Sequence, residues 1–220
     1  MKNLFRNIAV GVIAMMMSVG SVFAQVPAGF KASSSMEKFR NDMLSTAKSM
    51  TTLRSDFVQT KHISGMTKDI VSSGEFCFKK DDKLSLDYKK PMPSQIIVNG
   101  SKIKIVSGGR PTVMDANANP VIANLKKMMS DCLSGQLPTN SKDIKLDLYE
   151  NDTQYLVYVT PKAGSRADHM EVVVTKADYT IVSFKMVDKP KANKESDYMQ
   201  FTFTNMKRNT AIDDSVFKVQ

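Results

Sequence analysis

The chain has 220 residues, a formal net charge of +9 and 42% hydrophobic residues, which suits one domain with a sizeable apolar interior. Its two cysteines exclude a disulfide-built scaffold, although a single bridge between Cys77 and Cys132 is open to them. The basic residues form many short clusters without a recognition motif, so we exclude nucleic acid as a ligand and expect loose attraction to anionic surfaces.

Residues 1–24 have the pattern of a secretory signal peptide. Two basic residues precede an apolar run at residues 8–19, and small side chains lead to Ala24. A membrane span needs about 20 apolar residues, so we expect cleavage after Ala24 and not a membrane anchor. The mature chain would begin at Gln25 and not at a cysteine, so we do not expect the protein itself to be lipidated. These features predict a periplasmic protein with one domain over residues 25–220.

The first predicted element of the mature chain is an amphipathic helix that ends near Met50. Ser34 and Glu37 have the spacing of a capping box, in which the two side chains cap backbone N–H groups. Apolar side chains follow at intervals of three or four residues on one stripe: Met36, Phe39, Met43, Ala47 and Met50.

From Leu53 onward the apolar period becomes two, which is typical of a β-strand. The first strand places one set of side chains on one face: Leu53, Ser55, Phe57 and Gln59. Alternation recurs at residues 70–78, 83–88, 95–98, 102–106, 144–149, 155–160, 170–175, 180–187 and 198–204. Together these segments predict a single antiparallel meander of about ten strands, with hairpin turns at Asp81-Asp82 and Asn99-Gly100. Strand twist accumulates across so many strands, so we expect the sheet to curl into a half-closed barrel.

Residues 119–134 interrupt the strand pattern with helical spacing. Their apolar stripe comprises Val121, Ile122, Leu125, Met128, Met129 and Cys132. A short helix between hairpins of a curled sheet would lie across the open mouth as a lid, or would plug an ordinary core. The spacing alone is compatible with both.

Five short motifs, taken in order, resemble those of the outer-membrane lipoprotein carrier family (LolA-type). They are residues 53–61, 74–91, 95–100, 160–163 and 213–217, and the resemblance runs from about Met36 to the end. It implies a mainly β (α+β) fold, an unclosed antiparallel β-barrel of about ten or eleven strands with an N-terminal helix and a helical lid.

The resemblance also implies a function, which is to shield the acyl chains of lipoproteins in an apolar cavity between the inner and outer membranes. In the family an inner-membrane lipoprotein-releasing ABC transporter supplies the cargo, and an outer-membrane acceptor receives it. We expect a monomer that needs no cofactor. A periplasmic lipid or glycolipid binding or sensing module on the same fold is the alternative.

Candidate site residues follow from the alternation and from the resemblance. The side chains that share an inward phase on the first three long strands are Leu53, Phe57, Phe76, Phe78, Leu84 and Leu86. Burying a methylene group contributes about 0.8 kcal/mol, so such a wall would hold an acyl chain. The family closes its lid with an arginine in the second hairpin, and the matching position here is Lys80. Lysine keeps the charge but lacks the planar fork, so closure would be looser.

Neither catalysis nor metal binding has a convincing set of residues. His62 lies beside a strand end, and His169 follows Ala167-Asp168 in what reads as an exposed polar turn. The carboxylate pairs Asp81-Asp82 and Asp213-Asp214 lie in predicted turns, where they would cap backbone groups. Neither histidine has the close spacing to a cysteine that zinc sites require. We therefore expect a protein that is not an enzyme and binds no metal.

Overall fold

The computed structural model describes residues 26, 28–80, 82–115, 144–161, 165, 167–192 and 194–220. The predicted signal peptide at residues 1–24 and the predicted lid stripe, Val121, Ile122, Leu125, Met128, Met129 and Cys132, lie outside these residues. Within them, no helix has the length and the apolar character needed to cross a membrane.

One antiparallel sheet of twelve strands dominates the described structure. The strands are β1 (Lys31–Ala32), β2 (Thr52–His62), β3 (Ile70–Lys79), β4 (Lys83–Lys90), β5 (Ser94–Asn99), β6 (Lys102–Ser107), β7 (Arg110–Asp115), β8 (Ile144–Glu150), β9 (Gln154–Pro161), β10 (Ala167–Thr175), β11 (Ile181–Asp188) and β12 (Tyr198–Arg208). Helix α1 (Met36–Ser49) precedes β2, and a 3₁₀ helix (Asp214–Phe217) follows β12. The predicted mainly β, unclosed barrel with an N-terminal helix is confirmed.

The sheet consists of two meanders that meet at a pairing between remote strands. Strands β2 to β7 follow one another in space, as do β8 to β12, and β12 pairs with β2 in the middle of the sheet. Strands β7 and β1 are the two edges, and no ladder among the described residues joins them. The order therefore differs from the single meander that the sequence suggests.

Two strands escape the sequence pattern, and several others, β12 most of all, extend beyond their predicted ends. β1 pairs only Lys31 and Ala32 with β8, which is too short for a period to be recognised. β7 is an edge strand that contains Pro111 and is mostly exposed, so its hydrophobic alternation is weak. β12 continues beyond Thr204 to Arg208 through a register shift.

Helix α1 buries the predicted stripe but begins differently from the prediction. Phe39, Met43 and Ala47 are buried, and Met50 is the C-cap residue. The N-cap is Ser35, which makes no side-chain cap hydrogen bond, so the predicted capping box of Ser34 and Glu37 is wrong. Ser35 has φ −88° and ψ 25°, which is not the extended conformation that directs a serine side chain at the first turn.

Two hydrophobic clusters lie on the face of the sheet that carries α1, here called the inner face. The helix cluster joins α1 to β8, β9 and β10, and consists of Phe39, Met43, Leu146, Leu148, Tyr155, Val157, Val159, Val172 and Val174. The aromatic cluster spans β2 to β6 and β12, and consists of Met50, Leu53, Phe57, Phe76, Phe78, Leu84, Leu86, Val98, Ile103 and Phe201. Phe184 on β11 packs against both.

The opposite face of β3 to β5 is covered by the C-terminal segment. Its cluster consists of Cys77, Ile97, Ile212, Phe217 and Val219. Asp213 caps the 3₁₀ helix by accepting a hydrogen bond from the backbone N–H of Ser215 at 2.8 Å. Asp213 therefore has the capping role that the sequence predicts, whereas Asp214 forms ion pairs, at 3.0 Å from the Nζ atoms of Lys79 and Lys83.

Candidate functional site

All six predicted wall residues belong to the aromatic cluster. Leu53, Phe57, Phe76, Phe78, Leu84 and Leu86 are each 9% exposed or less. The alternation along β2, β3 and β4 therefore identifies the inner face correctly, because a strand sends successive side chains to opposite faces.

Cross-strand pairing arranges these side chains in continuous apolar rows. One row runs Leu53, Phe78, Leu84, Val98, Ile103 and Met114, so that it crosses six strands from β2 to the β7 edge. A second row runs Phe76, Leu86, Ile96 and Ile105. Directly opposed side chains lie about 4.5–5.5 Å apart at Cβ, so each row is an unbroken apolar surface.

Aromatic rings extend this surface across the middle of the sheet. The Phe57 ring lies 5.0 Å from the Tyr88 ring in an edge arrangement and 5.8 Å from Phe201. The Phe76 and Phe203 rings are 5.6 Å apart. Burial raises the pKa of the Tyr88 hydroxyl, which is consistent with an apolar environment at this point.

A glycine makes the close approach of β3 and β4 possible beneath these rings. A Cβ atom on Gly74 would lie 2.1 Å from the backbone oxygen of Asp87, which is a severe clash. Gly74 pairs with Phe57 on one side and Tyr88 on the other. The absence of a side chain there lets the Phe57 and Tyr88 rings meet across β3.

The surface around the aromatic cluster is not fully buried. The partly buried hydrophobic side chains packed against it are Tyr88, Ile96, Ile105, Met114, Phe184, Met199, Phe203 and Met206. In the described part of the chain, α1 and its C-cap contribute only Met50 to this cluster. The floor of the inner face of β2 to β7 is therefore buried, and its partly accessible apolar surface lies at the margin, beyond the reach of the helix.

The wall also contains one polar side chain, Ser55, which the sequence analysis placed on the same face as Leu53 and Phe57. Ser55 is 1% exposed, and its Oγ atom has no hydrogen-bond partner among the described residues. The alternation with Leu53 and Phe57 predicts the face on which Ser55 lies. Whether its hydroxyl finds a hydrogen-bond partner depends on residues far away in the sequence and could not be predicted. A buried hydroxyl without a partner is costly, so this position is a weak point of the wall.

The predicted latch Lys80 lies in the turn after β3. It is exposed, and its backbone N–H donates a hydrogen bond to the Thr51 carbonyl oxygen at 2.8 Å. The position follows Phe78 by two residues, so it continues the inward phase of β3 beyond the strand end. Its assignment as a lid latch stays a prediction, since the lid stripe is not among the described residues.

His169 is not in an exposed turn, as the sequence suggested, but within β10. Its side chain is 15% exposed and its ring stacks on Tyr158 at 4.5 Å. Nδ1 lies 2.8 Å from Asp168 and Nε2 lies 3.1 Å from Glu171. Burial acts to lower the pKa of His169, but the hydrogen bonds and charges of Glu171 and Asp168 outweigh it and raise the pKa. The strand was misread because Asp168 and His169 are polar residues at its start.

Neither the second histidine nor the cysteine forms part of a metal site in the described chain. His62 lies 2.8 Å from Asp69 and stacks on Tyr198. Cys77 is a buried free thiol, and burial, reinforced by the charge of Glu75, raises its pKa to about 11. No group of three or more histidine, cysteine, aspartate or glutamate side chains among the described residues is arranged to hold a metal ion.

Comparison with protein families gives a match over most of the chain. The family described as outer membrane lipoprotein carrier protein LolA matches residues 48–220. This range includes β2 to β12 and all the wall residues. No curated protein sequence matches the chain.

Solved structures with a similar fold share little sequence with this chain. A LolA superfamily protein from Nitrosomonas europaea is 7% identical, with a TM-score of 0.42 over 83% of this chain and 96% of its own. The lipoprotein LppX from Mycobacterium tuberculosis is 13% identical, with a TM-score of 0.41 over 80% and 96%. The MucA/MucB complex from Pseudomonas aeruginosa gives 14% identity and a TM-score of 0.49 over 82% of this chain and 59% of that chain.

Proposed function

The chain belongs to the outer membrane lipoprotein carrier protein LolA family, and on this premise we propose that it carries lipoproteins through the periplasm. It would do so by holding their acyl chains against the inner face of β2 to β7. The observation that carries this proposal is the continuous apolar row from Leu53 to Met114.

The energetics of this surface suit a ligand with several hydrocarbon chains. Each methylene group removed from water contributes about 0.8 kcal/mol, so a chain of 16 carbons, roughly the common acyl length, needs a long apolar track. The row crosses six strands, and adjacent strands are about 4.8 Å apart, so its length is on the order of 24 Å. That length accommodates one extended acyl chain.

The side chains along the surface suit a ligand that must also leave. Met114, Met199 and Met206 lie at the accessible margin of the aromatic cluster. Unbranched thioether side chains adapt to mobile hydrocarbon better than branched ones do. We propose that the stripe at residues 119–134 covers the bound chains as a lid and that Lys80 biases it towards closure.

The proposed partners follow from the same role. Cargo would come from an inner-membrane lipoprotein-releasing ABC transporter and pass to an outer-membrane acceptor. Transfer requires that the acceptor bind the acyl chains more tightly than this surface does, since a carrier moves its ligand only down a free-energy gradient.

The direct test is a release assay. Membranes that contain lipoproteins and an intact transporter are incubated with the protein, and the lipoprotein in the soluble fraction is measured. We expect soluble lipoprotein in a one-to-one complex with the protein. If none is solubilised while a known carrier of the same family succeeds, the carrier function is wrong.

A second measurement separates the carrier from a lipid or glycolipid binding module. The same apolar rows would hold any acyl chain, so the cargo must be identified chemically. Mass spectrometry of molecules that co-purify from the native compartment should recover triacylated peptides. Recovery of free lipids or glycolipids alone would support the binding module instead.

A further inference from the structure

Strands β11 and β12 separate at one end of their shared ladder. They pair from Ser183 with Thr202 to Val187 with Tyr198, whereas β12 continues to Arg208 without β11 as a partner. Beyond Thr204, β12 follows β2 through a register shift. Asn205 at this shift has φ 53°, and its side-chain amide donates a hydrogen bond to Asp56 on β2 at 2.7 Å. The bulge thus keeps the end of β12 with β2.

The end of β11 is held in a different place, by helix α1. Tyr179, in the turn between β10 and β11, donates a hydrogen bond to Asp42 of α1. Its ring lies 6.2 Å from Phe39 and 6.1 Å from Tyr155, both in the helix cluster. One strand end is anchored to the helix and the other to β2, so a cleft opens between them.

The cleft is largely open to solvent and has a volume of about 470 Å³. Its apolar lining includes Val182, Phe203 and Met206, of which the last two also pack against the aromatic cluster. A smaller cavity of about 30 Å³ lies beneath α1. Thr180 and Arg208 line both spaces, so they separate the cleft from the interior under the helix.

Arg208 and Asp178 give the cleft both hydrogen-bond donors and an acceptor. Arg208 donates to the backbone oxygen of Asp178 at 3.0 Å and to the hydroxyl of Thr180, and lies 3.8 Å from the Asp178 carboxylate. Among the described residues, these hydrogen bonds use two of the five N–H donors of a guanidinium group. Burial opposes ionisation of Asp178, but hydrogen bonds from Thr175 and Thr180 and the charge of Arg208 lower its pKa.

The Arg208 donors, the Asp178 acceptor and the apolar lining together favour a ligand that has both a peptide or ester group and a hydrocarbon chain. A peptide or ester group offers carbonyl oxygens to Arg208, and a peptide N–H can donate to Asp178. A phosphate group would be repelled by the Asp178 carboxylate, which lies in the same cleft. The apolar lining includes Phe203 and Met206, which pack against the aromatic cluster, so a hydrocarbon chain attached to the polar group would contact the margin of that cluster.

We infer that the cleft between β11 and β12 binds the acylated terminus of a lipopeptide, with its carbonyl oxygens on Arg208 and its acyl chains passing over Phe203 and Met206. This inference rests on the proposed function, because it assumes that acyl chains occupy the inner face. It adds a polar subsite for the junction between the peptide and its acyl chains.

The chain contains no tryptophan, so a single introduced tryptophan is a clean fluorescent reporter. Met206→Trp reports on the cleft, Ile105→Trp on the inner face and Val113→Trp, at a 51% exposed position of β7, on the opposite face. Each variant is titrated with two synthetic triacylated lipopeptides, one brominated at the chain ends and one brominated on the residue next to the acylated cysteine. Bromine quenches tryptophan fluorescence only at short range.

We expect the peptide-brominated ligand to quench Met206→Trp and the chain-brominated ligand to quench Ile105→Trp, whereas Val113→Trp responds to neither. Quenching of Ile105→Trp without quenching of Met206→Trp would overturn the cleft site and leave the carrier function standing. No quenching of Ile105→Trp would overturn the carrier function itself. Equal quenching of Met206→Trp by brominated phosphatidylglycerol would also overturn the choice of a peptide ligand. Val182→Trp replaces Met206→Trp if the latter does not fold.

The role of Arg208 is tested separately by affinity. Arg208→Gln should weaken lipopeptide binding about tenfold, since hydrogen bonds to a charged group are lost. Arg208→Lys should weaken it less, because it keeps the charge without the fork. Binding of hexadecane alone should change by less than about twofold in both, because it has no polar group that could bind Arg208. Unchanged lipopeptide affinity in a folded Arg208→Gln variant would contradict the assignment.

Discussion

The two halves of the inner face are built from the same alternating strands yet differ in how they are covered. In the helix cluster, Phe39 and Met43 of α1 lie on a floor rich in valine, and every member is 7% exposed or less. In the aromatic cluster the floor is phenylalanine and leucine, and its members are likewise 9% exposed or less. Among the described residues, both clusters have a margin of partly buried hydrophobic side chains, and the difference is that α1 packs on the first and contributes only its C-cap residue Met50 to the second. Two parts of one curled sheet can therefore differ in the element that packs on them.

The side chains fit this division. Valine has one strongly preferred rotamer, so Val157, Val159, Val172 and Val174 present a fixed surface to the helix. The long, flexible methionines lie at the margin of both halves: Met114, Met199 and Met206 beside the aromatic cluster, and Met36 and Met170 beside the helix cluster. The valine floor, and not the methionine margin, therefore sets the two halves apart.

The largest expected effect is a loss of stability in the half of the sheet on which α1 packs. Phe39 is 0% exposed and its ring lies 4.8 Å from Tyr155, so Phe39→Ala should lower the free energy of unfolding by about 3–5 kcal/mol. Phe203→Ala, at a partly buried position of the other half, should cost about 1–2 kcal/mol. Urea unfolding at equilibrium measures both. Equal losses would show that Phe203 is packed as tightly as Phe39.

A polar substitution at the margin should affect binding and spare stability. Met114 ends the apolar row on β7, and Met114→Gln preserves its length while it adds an amide. We expect about tenfold weaker binding of a triacylated lipopeptide, because the amide must be desolvated, with an unfolding free energy changed by less than about 1 kcal/mol. Val113→Gln, on the opposite face of the same strand, is the matched control and should leave affinity unchanged.

The hypothesis that Lys80 biases the lid towards closure predicts a smaller effect, on the rate at which a ligand leaves the inner face of β2 to β7. Lys80→Leu should increase the dissociation rate of the lipopeptide about threefold, since an exposed charged contact is worth roughly 0.2–1 kcal/mol. Lys80→Arg should slow dissociation, because the guanidinium group can bridge several carbonyl oxygens. Stopped-flow displacement measures these rates. Identical rates in all three proteins would remove Lys80 from the mechanism.

The smallest effect concerns the face behind the helix-covered half, where His169 contacts Asp168 and Glu171. Because folding raises the pKa of His169, its contribution to stability is present below its unfolded value of 6.5 and is lost as the pH rises through the folded value. The stability difference between the wild type and His169→Gln should therefore shrink between about pH 5.5 and about pH 8.5. Urea titrations across this range measure it. A stability difference that is constant with pH would contradict the stabilising contacts of protonated His169 with Asp168 and Glu171.

Local sequence patterns predicted which side chains of β2, β3 and β4 share a face, but not the helix cap or the pairing of remote strands. The period of two along β2, β3 and β4 depends only on neighbouring residues, so Phe57, Phe76 and Leu86 could be assigned to one face. The cap of α1 could not be predicted, since it depends on the dihedral angles of Ser35. The β12 to β2 pairing was also missed, because register between remote strands is decided by packing and not by local propensity.

The cleft between β11 and β12 was equally hidden from the sequence. The strand pattern was taken to end at Thr204, and a bulge at Asn205 lets β12 continue to Arg208. An asparagine within a strand pattern is the one available signal, since asparagine tolerates the left-handed conformation that some bulges need. The opposed anchoring of Tyr179 and Asn205, which creates the cleft, involves residues far apart in the chain.

The ladder between β2 and β12 has a kinetic consequence. It joins positions such as Gln59 and Met199, which are 140 residues apart, and it lies in the middle of the sheet. Closing a loop of that size costs conformational entropy before any contact repays it, which makes the folding transition state slow to reach. The two meanders can therefore join into one sheet only after the last long strand, β12, is available.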